Sequence, residues 1–193
     1  AHPELEQRIT KANFVVEPEY EPTPGMVSGR GGTVHPQGPI SAEEFHALSI
    51  SDIAIKFRTE WTPEELKKHD TDDDFLRPLN GEGAGSLLRE DITKRFAEYI
   101  AEAGRFFEPE VLNLHYTYCY YRGIEEVLRS NTDVTGVDFE PLFTSFRTLA
   151  EYVAAHDIEL SRGKRDSNDS WLSGWSGVHM SVTDILHGLL REK

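Results

Sequence analysis

The spacing of apolar residues in the C-terminal half constrains the fold of this chain more than any other feature. Between roughly Gly83 and Phe107, apolar residues recur at steps of three or four, which places them on one face of a helix. This stripe consists of Leu88, Ile92, Phe96, Ile100, Ala103 and Phe107. We therefore predict one long amphipathic helix here.

Three more stripes of the same kind follow. A helix opening at Pro109 would bury Val111, Leu114, Tyr118, Tyr121, Ile124 and Leu128. A helix after Asp138 and Pro141 would bury Leu142, Phe146, Leu149 and Val153. A helix beginning near Asn168 or Asp169 would bury Trp171, Trp175, Val178, Val182, Ile185 and Leu189. Consecutive helices with short connections pack as antiparallel neighbours or as a solenoid.

Capping residues predict three shorter helices between residues 41 and 78. Ser41 and Glu44 have the spacing of a capping box, in which each side chain satisfies a free backbone N–H of the first turn. The predicted N-caps are Ser41, Ser51 or Asp52, and Thr62, and the helices run to about Leu48, to Phe57 and to about Asp70. Residues 41–193 are therefore predicted to form a helical domain, with short helices over 41–78 and long ones over 83–193.

The N-terminal segment has a different composition. A short helix is predicted over residues 1–12, with Pro3 in its first turn, where a missing N–H costs nothing. Residues 13–40 alternate proline with glycine, which disfavours both helix and long strand. We predict an extended connector there, and an all-α fold of antiparallel helical pairs that form a helical-repeat or solenoid-like bundle.

Charge and composition exclude several classes of function. The 193 residues carry a formal charge of −14, with 34 acidic against 20 basic side chains. Such a surface repels nucleic-acid backbones and anionic membranes, and the short basic cluster of Arg162, Lys164 and Arg165 is too small to reverse this. The single cysteine, Cys119, suits a reducing compartment, so a cytoplasmic location is expected. The N-terminus has no initiator Met and no signal peptide, and the C-terminus closes a predicted helix without a Gly or Pro stop signal, so we expect a piece of a longer protein.

A set of segments spread over nearly the whole chain forms one pattern, at residues 2–6, 39–49, 52–53, 56–61, 83–88, 96–98, 105–106, 139–142, 169–171 and 182–186. In their order and spacing these segments resemble a helical region of very large bacterial STAND-type NTPases. The resemblance implies a helical-repeat region that serves as a sensor or scaffold, and some relatives in this family act in antiphage defence. It also implies that the phosphate-binding loop of the NTPase lies elsewhere in the longer protein. The chain departs from the pattern at residues 15–33 and 70–75.

Three local patterns are similar to ligand-binding motifs but lack required parts. Gly81–Gly85 has the glycines of a phosphate loop, yet no strand precedes it and no Lys-Ser or Lys-Thr follows, so a flexible helix start is favoured. Asp70, Asp72 and Asp74 match the first positions of a calcium loop, but Phe75 and Gly81 occupy the positions of its glycine and closing glutamate. His179 and His187, with Asp184, are spaced too far apart for a zinc pair on one helix.

Three catalytic patterns fail in similar ways. Gly174–Gly177 misses the spacing of a nucleophile elbow and has no strand before it. Cys119 lies among tyrosines, where burial would make the thiol inert. The Glu65–Lys67 fragment of a nuclease site lacks its strand and its acidic partner. The remaining histidines, among them His115 and His156, are interpreted as ordinary helix residues.

The aromatic residues allow two interpretations: core packing, which is favoured, or a recognition surface. The group comprises Tyr116, Tyr118, Tyr120, Tyr121, Trp171 and Trp175. We predict a non-catalytic helical scaffold or protein-recognition module from a larger signalling or defence NTPase. It has no predicted catalytic, cofactor-binding or metal residues, and its partner is another protein, a neighbouring domain or a second copy. The alternative is a metal-dependent hydrolase using residues 70–74 and a histidine.

Overall fold

The regular structure of this protein, in a computed structural model, is almost entirely helical. The structure describes residues 34–70, 76–130, 132–156, 158 and 172–190. The α-helices in these ranges are α1 (Ala42–Ala47), α2 (Ile50–Arg58), α3 (Pro63–His69), α4 (Gly81–Lys94), α5 (Phe96–Ala101), α6 (Leu114–Arg129), α7 (Glu140–Ala155) and α8 (Trp175–Leu190), and a 3-10 helix, η1, spans Ala103–Phe106. The predicted all-α class is confirmed. Within the described ranges no helix is long and apolar enough to cross a membrane.

Helix α6 lies at the centre, packed between α4 on one side and α8 on another. Its side chains are therefore buried on more than one face, and Tyr116, Tyr120 and Tyr121 are all fully buried. Tyr118 points the other way and is only partly buried. Core packing thus accounts for the tyrosines of α6, and the prediction of a single buried stripe on this helix was too narrow.

The prediction of one continuous helix over 83–107 is wrong, but the face predicted to be buried is correct. The chain leaves helical geometry at Arg95, with φ −125° and ψ 39°, so α4 ends at Lys94 and α5 begins at Phe96. The Arg95 side chain donates to the carboxylate of Asp91 and to the carbonyl of Leu48, 2.9 Å away. These bonds hold the break, and all six stripe residues are still buried: Leu88, Ile92, Phe96, Ile100, Ala103 and Phe107.

Two helices begin later than predicted. Helix α6 begins at Leu114 rather than Pro109, because the side chain of Asn113 accepts the N–H of His115 and caps it there; Val111 is consequently 58% exposed. Helix α8 begins at Trp175 rather than near residue 168, and residues 172–174 are not helical. The N–H of Ser173 points to the His115 ring, a contact that an α-helical backbone there would not make.

The shorter helices follow their caps. The capping box of Ser41 and Glu44 is present, and Thr62 caps α3. The cap of α2 is Ser49 rather than the predicted Ser51 or Asp52, and its hydroxyl accepts the N–H of Asp52.

The predicted helix at 1–12 and most of the predicted connector lie outside the described residues. The end of that connector, from residue 34 onward, pairs with the chain before α4. The only bridge between extended segments in the described ranges joins Gln37 to Leu79.

Candidate recognition groove

A buried polar cluster joins α4 to α6, and its members come from motifs that looked unrelated in the sequence. Glu82, His115 and Cys119 place one donor atom each within 4.8 Å of one another. The His115 Nε2 lies 3.4 Å from a Glu82 oxygen and 3.5 Å from the Cys119 Sγ. Carboxylate, imidazole and thiolate are the ligands that zinc prefers, so the cluster has the composition of a metal centre.

The positions of the hydrogen-bond donors in this cluster indicate a hydrogen-bonded network rather than a metal centre. The Ser173 N–H donates to His115 Nδ1 at 3.1 Å, so the proton of the neutral ring is on Nε2, which faces the Gly81 carbonyl 3.2 Å away. To bind zinc through Nε2, His115 would need that nitrogen deprotonated. Arg89 already supplies a cation, with Nη2 2.7 Å from the Glu82 carboxylate and Nη1 3.7 Å from the Cys119 sulfur. The polar groups of this cluster thus find partners among one another.

Cys119 is inert in this setting. It is fully buried, and burial raises the pKa of its thiol far above the usual range. A nucleophilic or redox-active cysteine needs the thiolate and access to solvent. The predicted burial of Cys119 is confirmed, whereas His115, expected to be an ordinary helix residue, is completely buried and lies at the centre of the polar network.

The glycines of Gly81–Gly85 serve helix packing. They form the first turn of α4, where a flexible helix start was predicted. A Cβ on Gly85 would lie 2.4 Å from the Cys119 sulfur, and one on Gly83 would lie 2.0 Å from the Gln37 carbonyl oxygen. Glycine lets α6 and the segment around Gln37 approach α4 this closely.

The other ligand patterns do not converge in the described residues. Asp70 ends α3 and accepts the N–H of Leu79, while Asp72 and Asp74 lie outside the described residues. His179 and His187 are exposed on α8, and their separation of eight residues corresponds to about 12 Å along the helix. Asp184 pairs with Arg129 at 3.4 Å.

The three catalytic patterns also lie in helical or near-helical structure. Ser176 is in the first turn of α8, so Gly174–Gly177 has no strand-to-helix elbow. Glu65 and Lys67 are on α3, where Glu65 pairs with Lys68 at 2.5 Å. The basic cluster of Arg162, Lys164 and Arg165 lies outside the described residues, as does Trp171.

A groove remains open between α7 and α8, because these helices pack on different neighbours. Helix α8 packs on α6, whereas α7 packs on η1 and α5. The two are joined at one end, where the Trp175 ring stacks on Tyr152 with centroids 5.7 Å apart. Beyond that contact they leave a groove of about 500 Å³.

The lining of this groove is mostly apolar. Its apolar residues are Phe146, Leu149, Ala150, Val153, Ala154, Val182 and Leu186, and its polar ones are Arg147, His179 and Thr183. Leu186, one of these apolar residues, is 39% exposed to solvent. Large apolar surfaces exposed to solvent are common binding sites, so the groove is a candidate binding site.

A second recess, of about 570 Å³, lies beside α3 but is less suited to a ligand. Its carboxylates pair with nearby lysines: Glu60 with Lys56 at 2.6 Å and Glu65 with Lys68 at 2.5 Å. The Trp61 ring at its base is buried against Phe45 and Phe57 and belongs to the core. The recess thus offers few unpaired groups, and we regard the groove between α7 and α8 as the candidate site.

Sequence reasoning found the helices that form the groove but missed the groove itself. The predicted stripe of α7 is confirmed for Leu142, Phe146 and Leu149, which are buried, while its fourth residue, Val153, is only partly buried. The second row of apolar residues, Ala150, Ala154 and Leu186, lies outside the predicted stripes. These residues widen the apolar faces of α7 and α8 beyond the predicted stripes, and that extra width was the sequence signal for a groove.

The fold and this site define an all-α protein with an apolar groove between two helices. Comparison with protein-family models, with curated proteins and with solved structures found no match for the chain.

Proposed function

We propose that this chain is a non-catalytic helical scaffold that recognises a protein partner through the groove between α7 and α8. The observation that carries the proposal is the solvent-open apolar lining of that groove, with Leu186 39% exposed. Burial of apolar surface is the main favourable contribution to association between proteins. The polar cluster at His115 supports the same function, since its groups bond to one another and its thiol is inert.

The larger context of the chain is also a proposal. The resemblance to STAND-type NTPases supports a role as the helical sensor or scaffold region of a large cytoplasmic signalling or defence protein. In that setting the helices would belong to a repeat array, and α7 and α8 would present the groove to a neighbouring domain or a separate partner.

A display selection tests recognition by the groove. The probe is a phage library of random peptides of about 16 residues, selected against the wild-type chain. We expect Leu186→Glu to weaken binding of the recovered peptides about tenfold or more, because it places a charge in the apolar lining. Met180→Glu is the matched control: it adds the same charge to exposed α8, outside the groove, and should change binding less than threefold.

Both variants replace exposed side chains, so circular dichroism should show wild-type helix content. Recovery of only those peptides that bind wild type and Leu186→Glu equally well would contradict the proposed function. Hydrolysis of nucleotide or nucleic acid by the purified chain in the presence of magnesium, calcium or zinc would contradict its non-catalytic part.

A further inference from the structure

We infer that the occupant of the groove is an amphipathic helix whose apolar face fills the groove and whose carboxylate pairs with Arg147. This inference rests on the proposed function and specifies the chemical class of its partner.

The length of the groove matches two turns of helix. On α7 the lining runs from Phe146 to Ala154, and on α8 from His179 to Leu186. At 1.5 Å per residue these stretches are about 12 Å and about 10 Å long. A helix that inserts apolar side chains at positions i, i+3 or i+4, and i+7 covers the same distance, which is the usual pattern of recognition of a helix by a groove.

The chemistry of the lining favours a helix over an extended peptide. An extended peptide would bring backbone N–H and C=O groups into a groove that is mostly apolar. The Thr183 hydroxyl donates to the carbonyl of His179 in its own helix, 2.9 Å away, and so already has a partner. A helix bonds its backbone groups internally and presents only side chains.

The charge of the lining favours an acidic partner. No carboxylate is among the described residues that line the groove, although the chain has 34 acidic side chains. Arg147 places a cation in the lining. A carboxylate beside the apolar face of the partner would therefore meet a complementary charge.

Arg147 can accept such a partner at small cost. Its guanidinium pairs with Glu140 at 2.8 Å and donates to the Thr144 hydroxyl at 2.9 Å. The Arg147 and Glu140 side chains are about two-thirds exposed, at 66% and 65%. Pairs this exposed contribute little to stability. A second copy of the chain is a poorer occupant, because association would bring together two molecules that each carry a charge of −14.

A charge exchange tests the pairing with the peptides recovered by the display selection. We expect the recovered peptides to carry apolar residues at helical spacing and a carboxylate, and to become helical on binding. Arg147→Glu should weaken their binding about tenfold, and replacing the peptide carboxylate by lysine should restore most of the affinity to that variant. Lys67→Glu on exposed α3 makes the same change in net charge and should have much less effect.

The outcomes separate this inference from the proposed function. Peptides that depend on Leu186 but bind in extended form, or that respond equally to Arg147→Glu and Lys67→Glu, would overturn the inference and leave groove recognition intact. A dimer in light scattering that Leu186→Glu dissociates would also overturn it, because the occupant would then be a second copy. Failure to recover any peptide that depends on Leu186 would contradict the proposed function itself.

Discussion

At the scale of single residues, the clearest case is Asp91, a carboxylate that is only 3% exposed. Tyr99 Oη donates to it at 2.6 Å, His46 Nδ1 lies 2.6 Å from it, and Arg95 forms an ion pair with it. Burial opposes ionisation of Asp91, but the hydrogen bonds from Arg95, Tyr99 and His46 outweigh it and lower its pKa. The carboxylate thus joins α1, α4 and α5. Arg95 is only four residues from Asp91 along the chain, but His46 and Tyr99 reach the carboxylate through tertiary packing, which no sequence pattern indicated.

We predict that Asp91→Asn lowers the free energy of unfolding by about 2 kcal/mol at pH 7, because Arg95 loses its charged partner. Because the pKa is lower in the fold, this contribution is present above the unfolded pKa of about 4 and is lost as the pH falls through the folded value. Urea unfolding at a series of pH values measures it.

The difference between wild type and Asp91→Asn should shrink as the pH falls below about 4. Glu90→Gln is the control, since the neighbouring Glu90 forms an exposed pair with Lys94 and should contribute less than about 0.5 kcal/mol. A difference of constant size from pH 7 to pH 3 would show that Asp91 is not stabilised as the anion.

At the scale of helices, the structure separates what periodicity can predict from what it cannot. The stripe from Leu88 to Phe107 predicted burial correctly, because apolar spacing reports which face meets the core. It did not predict the break at Arg95, because α4, α5 and η1 together keep the same side buried. The cap of α2 was missed for a similar reason: Ser49 and Ser51 are both suitable caps by composition, and only backbone geometry distinguishes them.

Glycine packing between helices gives a second prediction at this scale. Gly85→Ala should lower the free energy of unfolding by about 1–3 kcal/mol, because the added methyl overlaps the Cys119 sulfur. Chemical denaturation measures this loss. Gly104→Ala is the control, as nothing lies within 4 Å of a Cβ there, and it should leave stability unchanged or slightly raise it.

The double variant Gly85→Ala with Cys119→Ala removes the overlapping sulfur. It should therefore be more stable than the sum of the two single effects predicts, by about 1 kcal/mol. Additive effects would mean that α4 and α6 do not approach each other as closely as the structure shows.

At the scale of the whole molecule, the all-α class followed from the sequence because four strong stripes leave few alternatives. The arrangement of the helices did not follow, since periodicity does not say which neighbour a helix packs on. Helix α6 became central and α8 packed against it, while α7 packed on η1, and this divergence created the groove. The candidate site therefore depends on tertiary structure, and no local sequence motif around Arg147 or Leu186 indicates it.

The most direct test of groove recognition is a map of the binding surface by methyl NMR, with a peptide recovered by display. We predict that the shifts of Leu149, Val153, Val182 and Leu186 change as the peptide is added, because these methyl groups line the groove. The methyl groups of Ile55 and Val111 should stay in place, although these residues are 50% and 58% exposed. Changes at Ile55 or Val111 with an unchanged groove would contradict recognition between α7 and α8.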